Sequence, residues 1–327
     1  MIDSVSTRIA SLLPASTEIV AALGAGDCLI GRSHECDWPV GVADLPALTI
    51  PKLDPALPSG EIDQQVNDAG GEPLFELDVD LLKRLAPDLI LTQAACRVCA
   101  VDAEAVVAAA ARISLPDGKT PQVLTLSPQS LDDFFHDMLR VGEAIGRRTV
   151  AEAVVAGLRD RCETVRTTAA AAVQAAGRKP RVAIIEWLDP PMAAGNWVPE
   201  MVQLAGGDDA LAANATKHAK LAVEKTPAKS HWIDWAAVTA ADPDVVLLTP
   251  CGFELDRVVS EARSAAVWPH LAGLRARREG RLVAVDGHHL FNRPGPRLVD
   301  SLEVLAELLH PEAFRFAATQ TFSQVFG

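Results

Sequence analysis

Four cysteines and three histidines are the residues of this chain whose types and spacing could do chemistry. Cys96-x-x-Cys99 has the spacing with which two thiolates chelate one metal ion. Cys36 and Cys251 each stand on a short polar segment just after an apolar run. They could complete a four-thiolate zinc or iron–sulfur site, with His34, His288 or His289 as substitute ligands. The same residues also read as small buried side chains beside a ligand pocket, and one CxxC pair does not decide between the two. A thioredoxin-like redox role lacks the helix N-terminus that such a motif uses.

Other residues fit a ligand better than a reaction. Glu186 closes an apolar run, where a carboxylate is costly unless paired; it could accept hydrogen bonds from a ligand or neutralise Arg293. Trp38, Trp187, Trp197 and Phe291 supply flat apolar walls suited to a large planar ligand, in a chain with no tyrosine and 5% aromatic residues. Glu35, Gln93 and Phe253 lie on the same kind of segment, directly after apolar runs. Catalytic templates are missing: no GxSxG, Walker A, strand-linked GxGxxG or HExxH occurs. Gly24, Gly26, Gly206 and Gly207 fall at helix ends and read as C-caps.

The elements that must position these residues follow from the hydrophobic pattern. Short apolar runs at 9–13, 29–31, 89–92, 123–126, 182–187, 245–249 and 282–285 alternate with helix-length segments. That is the signature of buried parallel strands in βα units. Residues 130–145 show helical periodicity, broken by Gly146. A second helix, capped by Thr149, is expected to reach about Ala176, a length of about 42 Å at 1.5 Å per residue.

The two ends of the chain repeat one another. Arg8-Ile-Ala matches Arg181-Val-Ala, and Pro87-Asp-Leu-Ile-Leu-Thr92 matches Pro243-Asp-Val-Val-Leu-Leu-Thr249. The expectation is an α/β protein of two Rossmann-like lobes with parallel sheets, joined by one long rigid helix, with a ligand cleft between the lobes. Residues 1–130 form the first lobe, 131–178 the connecting helices, and 179–327 the second lobe.

Composition narrows the partners. The 327 residues carry a net charge of −13, which repels phosphate backbones and argues against nucleic acid. The densest basic cluster, Arg275, Arg277, Arg278 and Arg281, contains Glu279 and reads as a solvated helix end. No run reaches the roughly 18 apolar residues of a membrane span. Met1–Leu13 lacks the features of an export signal, so the expectation is a cytoplasmic protein, or a periplasmic one if Met1 is not the native start. Six cysteines in a reducing compartment argue against a disulfide framework, with Cys28 and Cys162 as inert side chains.

At this level the chain resembles the iron-complex and cobalamin substrate-binding proteins of ABC importers. The resemblance rests on Arg8-Ile-Ala-Ser-Leu-Leu-Pro-Ala-Ser-Thr-Glu, on Ser33-His-Glu-Cys-Asp-Trp-Pro39, on Glu186-Trp-Leu-Asp-Pro-Pro191 and on Phe291-Asn-Arg-Pro-Gly-Pro-Arg297, and covers about residues 8–310. It implies a corrinoid or another metal chelate held against His34–Trp38, Gln93–Cys99, Glu186–Pro191 and His288–Arg293, and an ABC permease as partner. Two departures stand out. Glu35 replaces an aromatic residue, and the family's two docking acids fall at Asp80 and Gln203, so the second is absent. The alternative to a binding protein is a cytoplasmic metalloprotein or enzyme that uses Cys36, Cys96, Cys99 and Cys251 to hold zinc or an iron–sulfur cluster.

Overall fold

A computed structural model describes residues 7–94, 102–212 and 229–326. They divide into two compact units. The first takes the chain up to Leu57 and residues 64–157; the second takes Pro58–Asp63 and the chain from Leu158 onward.

In the first unit β1 (Ile9–Ser11), β2 (Leu29–Arg32), β5 (Leu89–Gln93) and β6 (Gln122–Leu126) form one parallel sheet in the order β2-β1-β5-β6. Every residue of β1 and β5 is buried, as strands covered on both faces require. The helices α1 (Pro14–Ala22), α3 (Val79–Leu85) and α4 (Ala103–Ala110) follow strands, with α2 (Ser59–Asp68) between β3 (Thr49–Pro51) and β4 (Phe75–Leu77), which pair antiparallel. Ala10, Leu12, Leu48, Leu82, Ile90, Val106 and Ile113 make one apolar cluster under the sheet. Helix α5 (Leu131–Ala144) is opened by a capping box in which Ser130 and Asp133 satisfy each other's backbone donors.

Helix α6 (Arg148–Ala176) has 29 residues, about 44 Å at 1.5 Å per residue, and runs from one unit into the other. It begins one residue before Thr149, which therefore lies inside the first turn instead of capping it. Within the second unit its Arg161 is gripped by Asp300 (2.5 Å) and Glu303 (2.7 Å).

The second unit centres on parallel strands β7 (Arg181–Leu188), β11 (Val245–Leu248) and β12 (Leu282–Val285), with β9 (Asp208–Asp209) parallel beside the start of β7. Its other strands pair antiparallel, β8 (Pro191–Ala193) with β7, β10 (His231–Trp232) with β8 and β13 (Ser323–Val325) with β12, so that β8 and β13 run against the central strands. This sheet is therefore mixed, where the sequence suggested a parallel one. The reason is local. Only two residues separate β7 from β8, enough for a hairpin but far too few for a parallel crossover. Helix α7 (Val198–Leu204) follows β8.

The repeat seen in the sequence is a repeat of hydrogen bonds. The Arg8 N–H donates to Asp88 Oδ2 (2.8 Å) and the Asp88 N–H to the Arg8 carbonyl (2.8 Å). Arg181 and Asp244 make the same reciprocal pair at 2.8 Å each. In both places a Pro-Asp follows a left-handed residue that ends a helix, Ala86 (φ 42°) or Asp242 (φ 43°). Helices α1 and α7 also end alike. Gly24 and Gly206, at φ 68° and 71°, open Schellman turns in which Ala25 N–H reaches Val20 O and Gly207 N–H reaches Val202 O.

Candidate functional site

In an open α/β sheet, ligands meet the loops beyond the carboxyl ends of the strands. In the second unit two such loops, 249–253 after β11 and 286–293 after β12, are joined into one platform. The Gly287 and His288 N–H groups donate to the Phe253 carbonyl (2.9 and 3.1 Å). The Asn292 carboxamide donates to both Thr249 O (3.0 Å) and Gly287 O (2.9 Å). The fit requires glycine at 287, because a Cβ there would lie 2.1 Å from the Pro250 carbonyl oxygen.

This platform carries His288 and His289, both half-buried, with their rings 4.8 Å apart and nearly perpendicular. Asp286 organises them. Its Oδ1 accepts the backbone N–H groups of His288 (3.0 Å) and His289 (2.7 Å), and its Oδ2 stands 3.0 Å from His289 Nδ1. Burial pushes the Asp286 carboxyl up, but the hydrogen bonds from His289 outweigh it and hold its pKa below the ordinary value. A carboxylate at Nδ1 fixes the tautomer and leaves the lone pair on Nε2, the arrangement that supports a metal-binding imidazole. His288 is engaged otherwise. The buried Arg293 guanidinium lies 2.7 Å from its Nε2, which must act as acceptor there.

Glu186, at the end of β7, is held by the Ser230 side chain and the Gly195 N–H, so the counter-charge expected from Arg293 is not what secures it. Burial pushes its carboxyl up to about 7. Beside it Trp187 meets Phe253 edge-on at 5.3 Å, and Arg257 lies over the Phe253 ring at 3.5 Å. The Trp187 indole N–H is buried and has no hydrogen-bond partner among the described residues. Trp197 and Phe291, expected as ligand walls, are 7% and 1% exposed. Their rings belong to the support beneath the platform. Trp197 Nε1 donates to the Phe291 carbonyl (2.7 Å) and the Phe291 N–H donates to Ser301 Oγ (2.9 Å). Cys251 is exposed on the same platform.

The first unit offers a third histidine, on a strand-end turn. His34 Nδ1 is 2.6 Å from Thr49 Oγ1, which donates to Ser33 Oγ (3.0 Å). Since the threonine proton is spent on Ser33, His34 Nδ1 is the donor and Nε2 holds the lone pair. Burial, with a smaller push from Arg32, lowers the His34 pKa and keeps the ring neutral. Glu35 is half-buried, Trp38 is 47% exposed and Gln93 is buried at the end of β5. Cys36 is buried with its Sγ 3.1 Å from the Thr17 hydroxyl. Cys96 and Cys99 lie outside the described residues. Burial raises the Cys162 thiol to about 11, consistent with an inert side chain.

Asp286, Gly287, Asn292 and Ser301 were not singled out by sequence reasoning. Asp286 carried a signal, an acid two and three residues before paired histidines at a strand end. The others act through backbone geometry that residue type does not announce.

A family model described as "Periplasmic binding protein" matches residues 9–287. An ABC transporter substrate-binding lipoprotein of Bacillus subtilis, YvrC, is 22% identical over 313 residues, covering 94% of this chain and 81% of that protein. A periplasmic heme-binding protein from Pseudomonas aeruginosa superposes with a TM-score of 0.72 at 21% identity, over 98% of both chains. The vitamin B12-binding protein BtuF of Vibrio cholerae gives a TM-score of 0.63 at 19% identity, over 93% of this chain and 96% of its own. These likenesses establish the fold, and none of them supports a cytoplasmic location. Among the described residues no helix is long and apolar enough to cross a membrane.

Proposed function

The chain belongs to the periplasmic binding protein family, and from that premise we propose that it binds a macrocyclic metal chelate, a corrinoid or a haem, for delivery to an ABC permease outside the cytoplasm. The observation that carries this reading is the Asp286–His289 pair. A carboxylate at 3.0 Å from Nδ1 orients an imidazole whose Nε2 lone pair is suited to an axial site on iron or cobalt. The absence of tyrosine from the chain removes phenolate as an alternative axial donor. The half-buried Trp187 adds aromatic surface of the kind a macrocycle stacks on, while Phe253, 2% exposed, backs it from beneath. The relatives' names supply the ligand class: heme for one neighbour, vitamin B12 for another.

Ferric haem and aquocobalamin, titrated separately into the full chain and followed by visible absorption, test the reading. One of them is expected to bind with a shifted spectrum. His289→Ala is expected to weaken binding by at least about tenfold and to move the spectrum. If neither chelate binds, or if the alanine variant keeps both affinity and spectrum, the reading fails.

A further inference from the structure

Among the described residues Phe291 is one of four non-glycine positions with a left-handed backbone, at φ 62°. A bulky side chain rarely adopts this conformation, and it persists only where the surroundings over-determine it. Here they do so from every side. The Asn292 N–H closes a tight turn around Phe291 onto the Leu290 carbonyl (2.7 Å). The Phe291 carbonyl is taken by Trp197 Nε1 and its N–H by Ser301 Oγ, which in turn donates to Arg297 O (2.8 Å). The next side chain, Asn292, ties the turn to Thr249 and Gly287. The ring itself is 1% exposed, so the strain does not serve to present it to a ligand.

The turn lies two residues after His289. Leu290 N–H returns to Asp286 O (3.2 Å), so the Asp286–His289 segment is one closed turn whose exit direction is set at Phe291. We infer that the strained Phe291 turn, held by Trp197, Ser301 and Asn292, is a positioning device that aims the His289 imidazole at the bound metal. This rests on the reading of His289 as a metal ligand. Trp197, Ser301 and Asn292 are then positioning residues. Loosening any one of them lets the turn relax toward ordinary backbone angles and turns the imidazole away, while the fold of the unit stands.

Trp197→Phe removes one N–H and keeps an aromatic ring; Ser301→Ala removes one hydroxyl; Asn292→Ala removes the tie between the loops. Each is titrated with ferric haem, or with aquocobalamin if that is the chelate the wild type binds, alongside His289→Ala and a thermal melt. The expected result is an affinity about tenfold weaker, with a spectrum shifted toward that of His289→Ala, in variants that still melt cooperatively. Should Trp197→Phe fail to fold, Ser301→Ala carries the test alone. Wild-type affinity and spectrum in the folded variants, with His289→Ala defective, overturn the positioning role and leave the functional reading intact. An unchanged His289→Ala overturns both.

Discussion

Asp244→Asn is the perturbation whose size the structure fixes best. The Asp244 side chain is 13% exposed and accepts from Arg178 (2.5 and 3.2 Å), from Arg275 (3.2 Å) and from the Arg181 N–H (2.8 Å). The Arg178 hydrogen bonds, with those from Arg181 and Arg275, bring its carboxyl from 3.8 down to about 2. A depressed carboxylate contributes stability that is present above the unfolded value and is lost as pH falls through the folded one. Taken whole, the shift is worth about 2.5 kcal/mol at pH 7. Arg178 is 65% exposed, so screening trims the expectation to about 1–2 kcal/mol. The amide keeps one oxygen for Arg181, so the loss measures the charge and not the corner itself.

Asp88→Asn is the internal control. Its carboxylate serves the Arg8 N–H, while the Arg8 guanidinium goes to the Leu85 carbonyl and not to Asp88. Urea unfolding of the full chain, read on the transition of the second unit, is expected to show Asp244→Asn less stable than wild type by that amount at pH 7. The gap should shrink in high salt and close as pH falls from about 4 to about 2. Asp88→Asn is expected to lose no more than about 0.5–1 kcal/mol. A gap that ignores pH, or equal losses at the two aspartates, would refute the reasoning.

Three other outcomes are expected. Glu186, with its carboxyl raised from 4.5 to about 7, costs the folded state stability progressively as pH rises from about 4.5 to about 7, and the full cost stands above that. Glu186→Gln should therefore be more stable than wild type by about 1–3 kcal/mol at pH 8.5 and no different at about pH 3.5, measured by denaturation at both. Ala86→Gly relieves a left-handed backbone at φ 42° and should stabilise the first unit by about 0.5–1 kcal/mol; Asp242→Gly at the equivalent site sacrifices the ion pair to Arg275 and should not. Gly287→Ala drives a methyl into the Pro250 carbonyl and should lower the thermal midpoint and abolish chelate binding together, as melting and titration would show.

The sheet centres were legible because burial on both faces writes continuous apolar runs. All seven predicted runs overlap strands, and helices 131–144 and 148–176 appear within a residue or two of their expected bounds. The outer strands β8, β9, β10 and β13 were not legible, since two or three residues carry no period. The strand-end loops were legible too, and His288, His289 and Glu186 stand on or beside them. What those side chains do was not. Nothing in the letters Phe291-Asn292 reveals a positive φ, so the ring read as a ligand wall when it is an anchor. Trp197 was misread for the same reason: its indole N–H has a backbone carbonyl to serve, and that partner lies 94 positions away. Gly287 looked like one more turn glycine until the Pro250 carbonyl was placed beside it.

The twin Arg–Asp corners lie at the entry ends of the strands, while the loops with the histidines and aromatic rings leave from the exit ends. Each corner is closed by main-chain groups and one aspartate, and consumes no residue at the exit end. The duplicated chain thus behaves as a chassis with an exchangeable front. Residues such as Cys251 or His288 can be rewritten for another cargo without touching the joint that brings each pair of strands into register.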